Sequence, residues 1–395
     1  MLRIIHTADV HLGARHDDLG EQAAAQRERQ FAAFKAAIDL ALTEKVDLFL
    51  ISGDLFDSNV QPRRSVERVA AELKRLVGAR IRTVIIPGTH DCFDRASIYR
   101  AYDLAELAGA KTADGVVTIL DPDHPSVHLL ALDLVVHGRV FDTKRAPHSP
   151  LRDVATAPDD ASDPTATPAT WRIGMVHGSI AIPGKTDHDE VVITTDEIAA
   201  SGLDYLALGH WHSAQSGKAG SVTYAYPGAP EAVALDQDRA GKVLLVELDG
   251  AGAKRSVKVI EHQVGRTRFE KAEVDTATLA NQPTLIEGLA ARTDPDLVLD
   301  VRLVGVRPDE LDLNPEEIET ALAPFFLKVR VRDASMPALT EGPLPSPDTI
   351  AGAFIRDLEA RIAELEVAGS TEEAAEQRDS LRLGRLLLAG HEVSL

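Results

Sequence analysis

The sequence predicts an α/β protein in which two sheets are sandwiched between helices. Short β-rich apolar runs alternate with amphipathic helical stretches through the first half, and a further series of short apolar runs follows. In order, Leu2–Thr7 reads as a strand, Gln26–Glu44 as a long amphipathic helix, Val46–Ser52 as a strand, Arg63–Val77 as a helix and Thr83–Pro87 as a strand. Val116–Leu120, Val127–Leu132, Trp171–His177, Tyr205–His210, Val222–Ala225 and Lys242–Leu248 are the apolar runs of the remaining strands.

Residues 1–265 form the main domain on this reading, interrupted at 146–169 by a stretch rich in Pro, Asp, Ser, Thr and Ala that reads as an exposed polar loop. From 266 to 335 the pattern becomes strand, helix, strand, helix, strand, which predicts a small α+β domain. A Pro-rich linker at 336–348 leads to a helical segment at 349–395. There, Ile350, Phe354, Leu358, Ile362 and Leu365 define one apolar stripe, Gly369-Ser370-Thr371 breaks it, and Leu381–Leu388 begins a second.

The 395 residues exceed one average domain, and no run approaches the roughly 18 apolar residues that a membrane span needs. The first residues enter a strand without the pattern of a secretory leader, and the single cysteine, Cys92, excludes an internal disulfide. A cytoplasmic, membrane-free protein is expected. The net charge of −20 argues against binding nucleic acid through bulk electrostatics, because Lys and Arg neutralisation of phosphate dominates such affinity. It does not argue against a site where bound cations supply local positive charge.

Five segments stand where strands end: Asp9-Val10-His11, Gly53-Asp54-Leu55-Phe56-Asp57, Gly88-Thr89-His90-Asp91, His177-Gly178 and Gly209-His210-Trp211-His212. Loops of this kind carry sites. Mixed carboxylate and imidazole donors suit borderline divalent metals, and an acid bridging two ions about 3.5–4 Å apart builds a clamp for phosphoryl transfer. In an extended segment residues two apart project to one side, so Asp9 with His11, and His210 with His212, are expected to converge.

In these segments the chain resembles the calcineurin-like metallophosphoesterase superfamily, with its ordered pattern D-x-H, G-D-x-x-D, G-N-H-D or G-N-H-E, a later histidine, and G-H-x-H. His6 to Gly13 and Gly53 to Asp57 are similar more narrowly to SbcD-type DNA repair exonuclease subunits. The resemblance implies a four-layer α/β/β/α sandwich with a small α+β capping domain and C-terminal helices. It implies two divalent metal ions, manganese by preference, with Asp9, His11 and His212 on the first, Asp54 bridging, and His177 and His210 completing the second. His90 would assist the leaving group, oriented by Asp57. DNA would be the substrate, and the C-terminal helices would dock on an SMC-like ATPase; a homodimer is also compatible. The alternatives are a phosphodiesterase or phosphatase acting on small nucleotides or phosphoproteins, and a non-catalytic binding subunit.

One position departs from the pattern. Thr89 stands where the family places Asn as an oxygen ligand, and its shorter hydroxyl predicts a weaker second site. Singly, each motif has a plainer reading: Asp54 and Asp57 as helix caps, His90-Asp91 as a turn after Pro87-Gly88, His6 and Cys92 as structural residues. The ordered set favours the site. His137 rivals His177, since both follow apolar runs and precede Gly, but His177 lies one strand-helix-strand unit before Gly209. Tyr224–Pro230 reads equally as a wall of the site or as a turn, and the C-terminal helices equally as a self-packed hairpin or a docking element.

Overall fold

Leu48-Phe-Leu-Ile-Ser52 and its neighbours at 4–7 and 83–86 are buried on both faces, the condition under which continuous runs of β-branched and aliphatic residues form central parallel strands. The computed structural model describes residues 1–111, 115–140, 142–145, 149–151, 169–186, 191–232, 239–308, 310–337 and 345–388. Most of the loop at 146–169 and of the linker at 336–348 lies outside these residues, as do 389–395.

Two compact units divide the chain, Met1–Arg268 and Phe269–Leu395. The strands of the first are Leu2–Thr7 (β1), Leu48–Ser52 (β2), Arg82–Ile86 (β3), Val117–Ile119 (β4), Ser126–Leu129 (β5), Leu134–Arg139 (β6), Trp171–His177 (β7), Ser179–Ile180 (β8), Val192–Ile193 (β9), Tyr205–Gly209 (β10), Gln215–Ala219 (β11), Val222–Tyr226 (β12), Lys242–Asp249 (β13) and Ser256–Gln263 (β14). Its helices are Ala23–Thr43 (α1), Arg63–Gly78 (α2), Ile98–Ala101 (α3), Leu104–Leu107 (α4) and Thr195–Ala200 (α5). One six-stranded sheet has the order β14-β13-β1-β2-β3-β4, the other β11-β12-β10-β7-β6-β5.

The cores define the layers. Ile4, Leu50 and Ile86 of the first sheet pack with Val136, Ile173 and Tyr205 of the second. The opposite face of the first sheet, through Ile5, Phe49 and Ile51, packs with Phe34 and Ile38 of α1 and Val69 and Leu73 of α2. Ile198 of α5 packs on Val176, Leu206 and Leu208 of the second sheet. The result is a four-layer α/β/β/α sandwich.

Three strands of the two six-stranded sheets have no predicted run of their own. The sequence predicts one strand over 127–132, whereas β5 ends at Leu129, Leu130–Leu132 form a 3-10 turn, Asp133 adopts φ 50°, and β6 returns antiparallel. This turn interrupts an apolar run without a Gly or Pro mark; Asp supplies the left-handed residue instead. β11 and β14 are edge strands, polar enough to lack an apolar run.

His6, fully buried on β1, joins the two sheets through Nδ1, 2.8 Å from the Tyr205 hydroxyl on β10. Burial lowers its pKa from 6.5 to about 3. Below pH 6.5 the unfolded chain therefore takes up a proton that the native fold refuses, so stability present above 6.5 is lost as pH falls toward 3, by about 1.4 kcal/mol per unit. Both tryptophans, Trp171 and Trp211, lie in this unit. Urea unfolding followed by their fluorescence at pH 6.5 and 5.0 should show a loss of about 2 kcal/mol that His6→Gln removes; equal slopes in both proteins would assign the pH dependence elsewhere.

In the second unit Arg268–Asp275 (β15), Asp294–Val304 (β16) and Phe326–Asp333 (β18) form a sheet in the order β15-β16-β18, with Val306–Arg307 (β17) and Met336–Pro337 (β19) paired beside it. Gln282–Ala290 (α6) and Pro315–Leu322 (α7) supply Leu285, Leu289, Ile318 and Leu322 to the core over Leu299, Val301 and Val329. Ile350–Ala368 (α8) and Thr371–Leu388 (α9) form a hairpin, closed at Gly369, which takes φ 77° as a helix C-cap. Ile355, Ile362 and Ala374 are buried, whereas Ile350, at the first helical position, is 85% exposed and leaves the expected stripe. Among the described residues no helix is long and apolar enough to cross a membrane.

Candidate metal centre

The loops leaving the carboxyl ends of β1, β2, β3, β7 and β10 are tied together by backbone and carboxylate bonds. Asp9 N–H donates to Gly53 O (3.1 Å), His11 N–H to Asp54 O (3.0 Å) and Asp57 N–H to Leu12 O (3.1 Å). His210 N–H donates to the Asp9 carboxylate (2.9 Å) and His90 N–H to Asp54 Oδ1 (2.8 Å).

The extended geometry expected for D-x-H and H-x-H is not what is found. Asp9 (φ 52°), His11 (φ 49°), Asp54 (φ 50°) and His210 (φ 103°) all hold left-handed backbone conformations. Such residues cost about 1–3 kcal/mol each and persist only where the surroundings impose them. The consequence is that His210 and His212 diverge. The ring of His212 meets His11, with Nε2 to Nε2 3.1 Å, while that of His210 meets His177, ring centroids 5.4 Å apart.

Three groups of donor atoms lie within 4.8 Å of one another: Asp9, His11 and His212; Asp9, Asp54 and His177; and His11, Asp57 and His90. Shared Asp9 and His11 make them one continuous cluster. Two imidazoles are held in a definite tautomer. His177 Nδ1–H donates to Ser52 O (2.9 Å), which leaves Nε2 facing Asp54 Oδ2 at 3.1 Å and Asp9 Oδ1 at 3.9 Å. His11 Nδ1 lies 3.2 Å from Asp57 Oδ1 and Nε2 lies 3.8 Å from Asp54 Oδ2. Imidazole lone pairs turned toward buried carboxylates demand a cation or a proton between them, and anchoring of the far nitrogen is how ligating histidines are fixed. The residues present therefore fit a divalent-metal centre.

Charge balance points the same way. Burial works against protonated His177, but the Asp54 and Asp9 charges outweigh it and push the imidazole up to about 10. Burial pushes Asp54 up, yet His177 and His11 outweigh it and hold the acid below its ordinary range. Asp9 is pushed up to about 6 by burial, partly offset by His177. His212 is lowered to about 3 by burial and then by the charge of His11.

Asp57 differs from the expectation. Its carboxylate is nearer His11 (3.2 Å) than His90 Nδ1 (3.8 Å), and His90 Nδ1–H is held instead by the Asp57 carbonyl at 3.0 Å. Thr89 Oγ1 donates to Asp54 Oδ2 at 3.5 Å, so the hydroxyl does reach the central acid. His137 lies within β6 and takes no part in the donor groups. His16 is buried on Gln30 (2.9 Å) and Cys92 is a buried thiol raised by burial, both structural.

One further residue and one segment support the donors. Asp91, fully buried, accepts from Gly88 N–H (2.7 Å), Phe56 N–H (3.1 Å) and Tyr99 O–H (2.6 Å), and so braces the Asp54 loop against the His90 loop. Its place in the third motif was the available signal. The 224–230 segment supports His212: Ala229 N–H donates to His212 O at 2.9 Å, and a Cβ at Gly228 would meet that oxygen at 2.6 Å.

A four-layer sandwich with carboxylate and imidazole donors at its strand ends defines the class of metal-dependent phosphoesterases. The sequence profile of the calcineurin-like phosphoesterases matches residues 2–214, and the chain belongs to that family. It is 28% identical over 306 residues to the uncharacterized metallophosphoesterase YhaO of Bacillus subtilis, covering 72% of this chain and 66% of that one. It is 28% identical over 256 residues to the DNA double-strand break repair protein Mre11 of Aeropyrum pernix (63% and 59%), and 26% identical over 323 residues to that of Halobacterium salinarum (81% and 74%). The chain thus spans less than two thirds of the length of the first two relatives.

Proposed function

We propose that this chain is a manganese-dependent nuclease that hydrolyses DNA phosphodiester bonds. Asp9, His11 and His212 would hold one cation and His177, His210 and the Thr89 hydroxyl a second, with Asp54 available to both. Cations bound there supply the Lewis acidity that lowers the pKa of a water and neutralises phosphate oxygens. The chain's own part is positional. Ser52 O and Asp57 fix the two imidazoles, and Asp91 sets the distance between the loops. His90, 48% exposed and anchored through Nδ1, is placed to carry the proton taken by the departing oxygen. The observation that carries this reading is the pair of anchored imidazoles, His11 and His177, turned onto Asp54.

The likeness to two Mre11 proteins of double-strand break repair supports DNA as the substrate and a role in repair. The α8–α9 hairpin is assigned to an SMC-like ATPase partner, and the small α+β unit to DNA contact. The reading is tested by supplying manganese with a single-stranded oligonucleotide, bis(p-nitrophenyl) phosphate and p-nitrophenyl phosphate in parallel. Hydrolysis of both diesters above the monoester is expected. Cleavage of the monoester alone would make the protein a phosphatase, and cleavage of none, with metal bound, would leave a non-catalytic subunit.

A further inference from the structure

Beside the metal centre, a notch of about 250 Å³ opens between the Leu12-Gly13 loop, the Gln61-Pro62 loop, and helices α1 and α2. Leu12 directly follows His11, and its carbonyl accepts from Asp57 N–H, so the notch adjoins two of the motif loops. Its charged lining is Arg27, Arg64 and Arg68 against one acid, Glu28. In a chain of net charge −20 that is a local excess of positive charge.

The arginines are not equivalent. Arg68 is fixed, bonded through both Nη atoms to Glu28 (2.9 and 2.7 Å) and stacked 3.7 Å over the Phe31 ring, which also satisfies the acid. Arg64, one helical turn earlier on the same face and exposed, makes no hydrogen bond or ion pair among the described residues. Arg27 is exposed and spends one N–H on Arg15 O (2.9 Å). Arg63 and Arg64 also occupy the first turn of α2, where no acid stands and no side chain caps the N-terminus. Arg63 is already paired with Glu67 (2.8 Å), but the Arg64 charge at the positive end of the helix is unfavourable, and an anion there offsets both it and the helix dipole.

We propose that this notch is a phosphate subsite, held by Arg64 and Arg27 with the start of α2. It takes a backbone phosphate of a polynucleotide whose scissile bond lies at the metal centre. The inference rests on the nuclease reading above and adds to it a feature that small diesters do not use. Arg64 and Arg27 are therefore specificity determinants for a polymer.

The test is equilibrium binding, measured by fluorescence anisotropy of a short single-stranded oligonucleotide in EDTA from 50 to 300 mM salt. Arg64→Ala is compared with the parent and with Lys35→Ala, which removes one exposed cation farther along α1. Each phosphate contact contributes about 0.7 to the slope of log affinity against log salt for a single strand. Arg64→Ala should lower that slope by about 0.7 and Lys35→Ala should leave it unchanged. Equal slopes in parent and Arg64→Ala, equal losses in both variants, or no binding by the parent each overturn the subsite. Calorimetry with inorganic phosphate separates the sources: phosphate binding that needs Arg64, with oligonucleotide binding indifferent to it, assigns the notch to the free ion and overturns the polymer reading. Manganese-dependent cleavage of the same oligonucleotide by the parent reports separately on the nuclease reading.

Discussion

Asp54→Asn should give a folded protein whose manganese-dependent hydrolysis of a diester is at least about a hundredfold slower, since loss of an outer-shell partner alone costs 10–100-fold in affinity or activity. The fold should survive because Asn is isosteric and among the few residues that tolerate the left-handed conformation found at this position (φ 50°). Its amide oxygen can still accept from His90 N–H, as Asp54 Oδ1 does at 2.8 Å. What is lost is the charge shared by His177 Nε2 at 3.1 Å and His11 Nε2 at 3.8 Å. A new amide N–H in place of Oδ2 would meet His177 Nε2, satisfying without metal the lone pair that otherwise demands a cation. Thermal unfolding in EDTA, where the variant replaces the buried His177–Asp54 ion pair by a neutral hydrogen bond, supplies the metal-free baseline for each protein. Manganese at a hundred times the dissociation constant stabilises a binding protein by about 2.7 kcal/mol, and that increment should be absent from the variant. Undiminished hydrolysis or an undiminished manganese-induced rise in Tm would remove Asp54 from the centre.

Gly209→Ala should damage the same site without touching a donor. A Cβ at Gly209 would lie 2.0 Å from Ser52 O, 2.7 Å from His177 Nδ1 and 3.0 Å from Ala8 Cβ. The first two atoms are the partners of the bond that fixes the His177 tautomer. One is a backbone oxygen of the central strand β2, so relief requires movement of the two sheets and not rotation of a flexible side chain. Overpacking of this kind costs about 1–3 kcal/mol and more where backbone must shift, equivalent to a fall of several degrees in Tm at about 2–4 °C per kcal/mol for a unit of this size. Manganese affinity should fall with it, because His177 can no longer hold Nε2 toward Asp54. Tryptophan fluorescence melting and calorimetric manganese titration check both parts, and a variant that melts and binds as the parent does would show the approach of the sheets here to be loose.

The amino-acid sequence by itself determined the α/β class, most strand and helix positions, and the ordered acid and histidine segments. These features are local: burial on both faces shows as continuous apolar runs, and Asp and His beside Gly at strand ends stand out from them. Beyond the reach of any local pattern lay the β5–β6 turn hidden in one apolar run and the commitment of the Asp57 carboxylate to His11; the grouping of His212 with His11 and of His210 with His177 was implied by the family resemblance and not by alternation along a strand. Only the tertiary structure decided these: the turn rests on Asp133 at φ 50°, and the aim of the site's side chains on left-handed backbone at Asp9, His11, Asp54 and His210, held by partners from 36 to 201 residues away in sequence. Alternation along a strand can say which side a residue faces; it cannot say where a chain bent out of the strand by contacts from another sheet will aim its side chains.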